Sequence, residues 1–337
     1  MIDAARLARE LYGLDAAATA LPGEHDLNFR LDANGSRYVL KLHRPGADRE
    51  LEDAVLEHLR DEPAVPRLAG RTADAGERTA RLLTWLDGRP WAERGGDLES
   101  LGRTVARVDR ALKDFEHPHM RRHHRWDLRN APELGIAVPP LDHLPHQVIH
   151  NDANEHNVLV ADDGAVAGLI DFGDVVHTAR VCGLAVAGAY AMQGQPDPAR
   201  AVVAVVRGYH EVTPLAPEEL AVLFELMLVR LRMSVAMAER QSAAAPDNAY
   251  LLISQAGVRE ALERLEHEDA ELAHFRFRDA CGYDASPRAR AVRQRLALTP
   301  AAPVMDGDWA SAPVLDLTRE MAEVPEPAIG RYDEQRG

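Results

Sequence analysis

The spacing of apolar residues changes several times along the chain, and each change predicts an element. Leu7, Leu11 and Tyr12 recur at helical spacing within residues 2–13. Pro22 and Gly23 predict a turn in Leu21–His25. Asn28–Leu31 and Tyr38–Leu42 read as strands joined by Asn34-Gly35, a pair suited to the positive φ angles of a tight hairpin. Residues 48–60 return to helical spacing through Leu51, Val55, Leu56 and Leu59. Val65–Leu68 and Thr79–Trp85 predict further strands, and Asp87-Gly88-Arg89-Pro90 closes the region. Beyond it, helices are predicted near 97–113 and 127–132. Short strands follow at Val148–Ile149, Val158–Val160 and Ala167–Ile170. Long helical patterns occupy 178–193, 197–211, 217–240 and 256–275.

This order predicts an α+β, bilobal architecture. A small mixed-sheet lobe spans 1–88, a larger and mostly helical lobe spans 89–298, and the proline-punctuated 299–337 forms a linker or arm. A net charge of -15 argues against nucleic-acid binding. The best basic cluster, Arg121-Arg122-His123-His124-Arg125, lacks interleaved aromatics and reads as a solvated helix face or a small anion contact. No apolar stretch reaches the roughly 20 residues of a membrane span, and no signal peptide is legible, so a cytoplasmic protein is expected. Cys182 and Cys281 read as two reduced thiols. Arginines outnumber lysines heavily. Lys41 and Lys113 are the two lysines, and Lys41 lies inside the apolar run Tyr38–Leu42.

The chemistry concentrates in two loops. Val148-Ile149 and Val158-Leu159-Val160 bracket a polar loop containing His150, Asp152, Asn154 and Asn157; Leu169-Ile170 then delivers Asp171 into Phe172-Gly173-Asp174. Phosphoryl transfer needs such a set. Asn157 and Asp171 supply hard oxygens for Mg²⁺, and Asp152 supplies a separate carboxylate to orient an incoming hydroxyl.

These residues resemble the aminoglycoside phosphotransferase and choline-kinase-like superfamily, with its H-x-D-x-x-x-x-N loop at His150, Asp152 and Asn157 and its I-D-F/W/P motif at Ile170-Asp171-Phe172. The resemblance covers roughly residues 20–275 and is nearest to hydroxylysine-kinase-like members, which often carry glycine where this chain carries Asn151. It implies a protein-kinase-like fold, a catalytic Asp152, magnesium at Asn157 and Asp171, and a bracing role for His150. By the same resemblance Lys41 reaches the nucleotide phosphates and is held by a helix carboxylate. Glu52 is the best match for that carboxylate, with Glu50 and Asp53 as rivals. Backbone amides near Thr84 and Leu86 take the purine edge, while Trp85 shapes the base pocket or seals the lobes. ATP is the expected nucleotide, with GTP as the alternative. The Pro22–Phe29 segment lacks a glycine-rich signature; His25, Asp26 and Asn28 are expected to touch the acceptor or organise the hairpin. In the wider group such kinase domains also occur fused ahead of an aminotransferase-like domain, an arrangement that Ala312–Leu317 resembles.

The acceptor is expected to be a small cationic or zwitterionic molecule bearing a hydroxyl. Asp174 is the candidate ammonium contact, Arg230 the candidate carboxylate clamp, and Trp126 with Asp127 an aromatic-and-acid pair. The leading reading is phosphorylation of an amino acid or amino alcohol, hydroxylysine-like in type. Aminoglycoside, homoserine and ethanolamine or choline kinases are the alternatives, and a nucleotide-binding pseudokinase module is the alternative from another class.

Overall fold

A five-stranded antiparallel sheet, ordered β1-β2-β3-β5-β4, opens the chain. A computed structural model describes residues 2–23, 26–44, 49–244 and 255–284, with residues 241–244 described by their backbone alone. His25 and the segment 299–337 lie outside the described residues. The strands are β1 (Ala17–Leu21), β2 (Leu27–Ala33), β3 (Ser36–His43), β4 (Ala73–Ala75) and β5 (Arg78–Thr84). The β2–β3 hairpin turns at Asn34 and Gly35, both with positive φ, as their side chains favour.

Strand alternation gives the sheet two different faces. Leu31, Leu40, Leu42, Ala80 and Leu82 form one buried face, covered by α1 (Ala4–Tyr12) through Ala4 and Ala8. The opposite face carries Lys41, His43 and Arg81 towards α2 (Glu50–His58). Lys41 and Arg81 stand directly opposite each other across the β3–β5 ladder. Like charges in that register repel, so both depend on nearby carboxylates.

After a short β6 (Arg89–Pro90) and α3 (Trp91–Arg94), the chain becomes mainly helical. It continues as α4 (Leu98–Ala111), α5 (Val181–Ala191), α6 (Pro198–Val212), α7 (Pro217–Ala244), α8 (Gln255–Glu266) and α9 (Ala270–Ala280). Two small antiparallel sheets carry the polar loops: β7 (His146–Ile149) pairs with β10 (Val176–Ala179), and β8 (Val158–Val160) lies between β6 and β9 (Val166–Leu169). Helix α5 is buried along its whole length, and its low polarity reflects that position. It packs against α4, α6 and α7.

Three expectations change here. Residues 128–134 form a 3-10 helix containing Pro132, whose missing N–H disfavours a regular α-helix. Val65–Leu68 is not a strand; only Leu68 bridges to Leu83. The helix expected from 178 starts at Val181, because Val176–Ala179 pairs with β7. The fold is α+β, with an antiparallel sheet part and a helical part, as the pattern predicts.

Candidate active site

The two polar loops meet through the β8–β9 pair. Val158 stands opposite Leu169, and the Ile170 N–H donates to the Asn157 carbonyl at 2.9 Å. Asn157 and Asp171 therefore leave adjacent strand ends. Both loops use left-handed backbone at a residue other than glycine, Asn151 at φ 65° and Asp171 at φ 65°. His150 braces them together: its Nε2 lies 3.0 Å from the Ile170 carbonyl, and its Nδ1 accepts from the Asp152 N–H at 3.2 Å. This is the bonding of a neutral imidazole, and burial holds its pKa low.

Asp152 is gripped at both oxygens. Its Oδ2 accepts from the side-chain amides of Asn154 at 3.0 Å and Asn157 at 2.7 Å, while its Oδ1 accepts from Arg230 Nη2 at 2.7 Å. Burial, reinforced by the nearby Asp174 and Asp171 carboxylates, pushes Asp152 up to about 8 against the pull of Arg230. The two amides and the guanidinium all donate to it, which is the bonding of an ionised carboxylate, the form that can accept a hydroxyl proton.

Lys41 reaches across from the sheet, its ammonium 2.9 Å from Asp171 Oδ1. Burial opposes ionisation of Asp171, but Lys41 outweighs it and holds that carboxyl low. The Asp171 side chain remains half exposed. Among the described residues, its second oxygen and Asn157 Oδ1 accept no hydrogen bond. An amide oxygen and a carboxylate oxygen are thus left free for a hard cation, and no cluster of three or more His, Cys, Asp or Glu ligands is found among the described residues. That donor set suits Mg²⁺, which commonly binds one or two carboxylates and completes its shell with water and phosphate oxygens.

Several expected contacts are replaced by others. Glu52 acts on Lys41 through its charge and not through a direct ion pair; its carboxylate pairs with Arg81 Nη1 at 2.7 Å and Arg49 Nη1 at 3.0 Å. The fully buried Arg81 needs those oxygens, and Asp53 adds a second contact at 2.6 Å. The Thr84 N–H is spent on the Arg67 carbonyl at 2.9 Å, leaving Leu86 as the amide of that pair without a bond among the described residues. Arg30 and Arg37 lie over the Trp85 ring. Asp26 binds His43 Nδ1 at 2.7 Å and the Arg44 N–H at 3.1 Å, and Asn28 donates to the Pro22 carbonyl at 3.1 Å, so both organise the hairpin.

On the acceptor side, Asp127 is buried, caps the 3-10 helix and binds Arg129 and Thr178, which leaves it no substrate face. Asp174 pairs with His124 Nε2 at 3.2 Å. Trp126 lies against the Arg230 guanidinium, 4.6 Å from ring centroid to Cζ. The basic cluster is not a helix face. Arg122 Nη2 donates to the Gly173 carbonyl at 2.6 Å and the Val175 carbonyl at 3.1 Å, pinning the loop after Asp171. Arg49, Arg81, Arg122, Asn154 and Tyr190 were not legible as site residues. Only Arg81 left a usable signal, an arginine between Ala80 and Leu82-Leu83 in the apolar part of its strand.

The Phosphotransferase enzyme family model (APH) matches residues 17–223, well over half of the chain, and this span contains Lys41, Asp152, Asn157 and Asp171. The chain belongs to this phosphotransferase family. Hydroxylysine kinase of Danio rerio is 31% identical over 311 residues, covering 74% of this chain and 87% of the relative. Hydroxylysine kinase of Mus musculus is 28% identical over 301 residues, covering 69% and 80% respectively. An amicoumacin kinase solved with AMP-PNP and Ca²⁺ shares the fold at a TM-score of 0.57 and 16% identity, covering 75% of this chain and 90% of its own. This phosphotransferase is accordingly a small-molecule kinase. Arg230 lies beyond the family-matched span. Among the described residues, no helix is long and apolar enough to cross a membrane.

Proposed function

We propose that this phosphotransferase moves the γ-phosphoryl group of ATP to the hydroxyl of a small amino acid or amino alcohol, with an acceptor of the hydroxylysine type foremost. The observation that carries this reading is the convergence of three groups from two neighbouring loops with Lys41 from a distant strand. Asp152 is bonded to Asn157, Asn157 is paired through its backbone to Ile170, and the next residue, Asp171, is bonded to Lys41. Hydroxylysine kinases at up to 31% identity support the acceptor class.

Residues 1–88 would hold the nucleotide, with the Leu86 amide at the purine edge and Lys41 at the phosphates. Residues 89–298 would carry the catalytic loop and the acceptor. Asn157 and Asp171 would hold Mg²⁺, which when bound neutralises charge on the phosphate oxygens. Asp152 orients the hydroxyl and takes its proton as the new P–O bond forms. The protein contributes mainly position and a fixed electrostatic environment, with no covalent enzyme intermediate.

A panel of amino acids, amino alcohols and aminoglycosides, each with ATP or GTP and Mg²⁺, tests this reading by mass gain of one phosphoryl group. Transfer to a hydroxylated amino acid or amino alcohol is expected, and absence of transfer to every acceptor would defeat it. Asp152→Asn should lower kcat by roughly 10²–10⁴-fold, the usual worth of general acid–base help; because it leaves the buried Arg230 charge unpaired it should also lower the melting temperature, so rates are compared well below it. EDTA should abolish turnover and added Mg²⁺ restore it; undiminished turnover in chelator would remove the metal from the scheme.

A further inference from the structure

We propose that Arg230 is a positioning residue for Asp152, holding the carboxylate rotamer through an ion pair whose guanidinium is packed against two aromatic rings. The inference rests on the phosphotransfer reading and adds to it a residue outside the family-matched span.

Amides from Asn154 and Asn157 both bind Oδ2 of Asp152. Any turn about the Cβ–Cγ bond moves both oxygens, so it must break these two bonds. Arg230 takes the other oxygen at 2.7 Å, adds a charged bond to those a turn must break, and so deepens the well that holds the rotamer. The arginine is equally constrained. It is 1% exposed, its Nε donates to the Tyr190 hydroxyl at 3.3 Å, and its Cζ lies 4.6 Å from the Trp126 ring centroid and 5.3 Å from that of Tyr190. A planar guanidinium held in this way arrives already ordered.

Stability is a poor explanation for the arrangement. Desolvating an arginine and an aspartate costs much of what their attraction returns, and an apolar pair of similar volume often serves a core better. Arg230 Nη1 is also buried without a hydrogen-bond partner, a further cost to the fold. Misplacing a reacting group by about 1 Å can cost about 10²-fold in rate, so orientation of Asp152 is a return large enough to retain such a pair.

The expected kinetics separate this role from acceptor binding and from simple support of the core. Arg230→Gln should lower kcat by about 10²-fold while the acceptor KM and the nucleotide affinity change little. Arg230→Lys, which keeps the charge but not the planar fork, should recover part of the loss. Tyr190→Phe, the mildest change, should give a smaller loss in kcat of the same kind and keeps the test available if the arginine variants fold poorly. In an Asp152→Asn background, Arg230→Gln should have almost no additional effect, because both changes act through one group. An equal fold-loss in the parent and in Asp152→Asn would overturn the proposal, as would a rise in acceptor KM that accounts for the whole effect. Crystal structures of the parent and of Arg230→Gln read the position directly. The Asp152 carboxylate should turn away from Asn157 in the variant, and an unmoved carboxylate would refute the role. This structural readout stands even if no acceptor is phosphorylated, an outcome that would count against the proposed reaction alone.

Discussion

Asn151 and Asp171 occupy the same left-handed backbone region, one in each loop of the site. A side chain branching at Cβ is costly there, whereas asparagine and aspartate tolerate it and glycine adopts it freely. Asn151 also donates through Nδ2 to the Trp126 carbonyl at 3.3 Å, joining the catalytic loop to the segment that covers Arg230. Asn151→Ala should therefore cost about 1–2 kcal/mol of stability, while Asn151→Gly should stay close to the parent, with backbone relief offsetting the lost bond. Urea unfolding of the two variants decides the point, and equal destabilisation would show that φ is not the constraint. At this scale the sequence was most readable where loop polarity interrupts an apolar run, as at Asp152, Asn157 and Asp171. It was least readable where one buried charge chooses among several neighbours. Glu52 binds Arg81 and Arg49 because those guanidinium groups lie nearer than Lys41, and linear order contains no such distances.

Helices α4 and α6 make the most extensive contact between elements, and two glycines permit it. A methyl group on Gly102 would enter the Val205 carbonyl, and one on Gly208 would enter the Glu99 carbonyl. With no side chain between them, the backbones lie close enough for Tyr209 to reach Asp109 at 2.7 Å and for the Thr213 hydroxyl to donate to the Ala106 carbonyl at 3.0 Å. Gly102→Ala or Gly208→Ala should gain helix propensity yet lose about 1–3 kcal/mol through overpacking, lowering the melting temperature; unchanged melting would mean that the helices can separate without cost. Both helices were legible from their 3.6-residue spacing, but their crossing was not, since a glycine inside a helical pattern does not say what approaches it. The strands divide similarly. β2 and β3 announce themselves by alternation and a turn pair. β1 is Ala-Ala-Thr-Ala-Leu, mostly exposed, and exists because β2 offers it hydrogen bonds from Asn28 to Asp32.

Across the whole molecule, the sheet part and the helical part share one apolar core, in which Leu51, Val55 and Leu56 of α2 cluster with Leu101, Val105 and Val108 of α4, and polar contacts add to it. The Leu169 N–H donates to the Ala64 carbonyl at 2.8 Å, Arg107 pairs with Glu62 at 3.3 Å, and Lys41 pairs with Asp171 across 130 residues of chain. The order of elements foretold two parts of unequal size and character. It could not foretell which charges would face each other across the gap, because partners that far apart in sequence are fixed only when both parts have folded. The -15 charge is a sum over the whole sequence, whereas the site keeps a local cation in Lys41.

A nearly buried lysine, in a chain nearly devoid of lysine, makes a natural reporter. Only Lys113 and the amino terminus compete with Lys41 for acylation. A nucleotide carrying an acyl group on its terminal phosphate would present that carbonyl to Lys41; once the ammonium gives up a proton to solvent, the amine attacks, the acyl C–O bond to phosphate breaks, an amide forms and the nucleotide leaves. One tag, on the peptide containing Lys41 and suppressed by free ATP, is the expected mass spectrum, whereas labelling confined to Lys113 would place the triphosphate elsewhere.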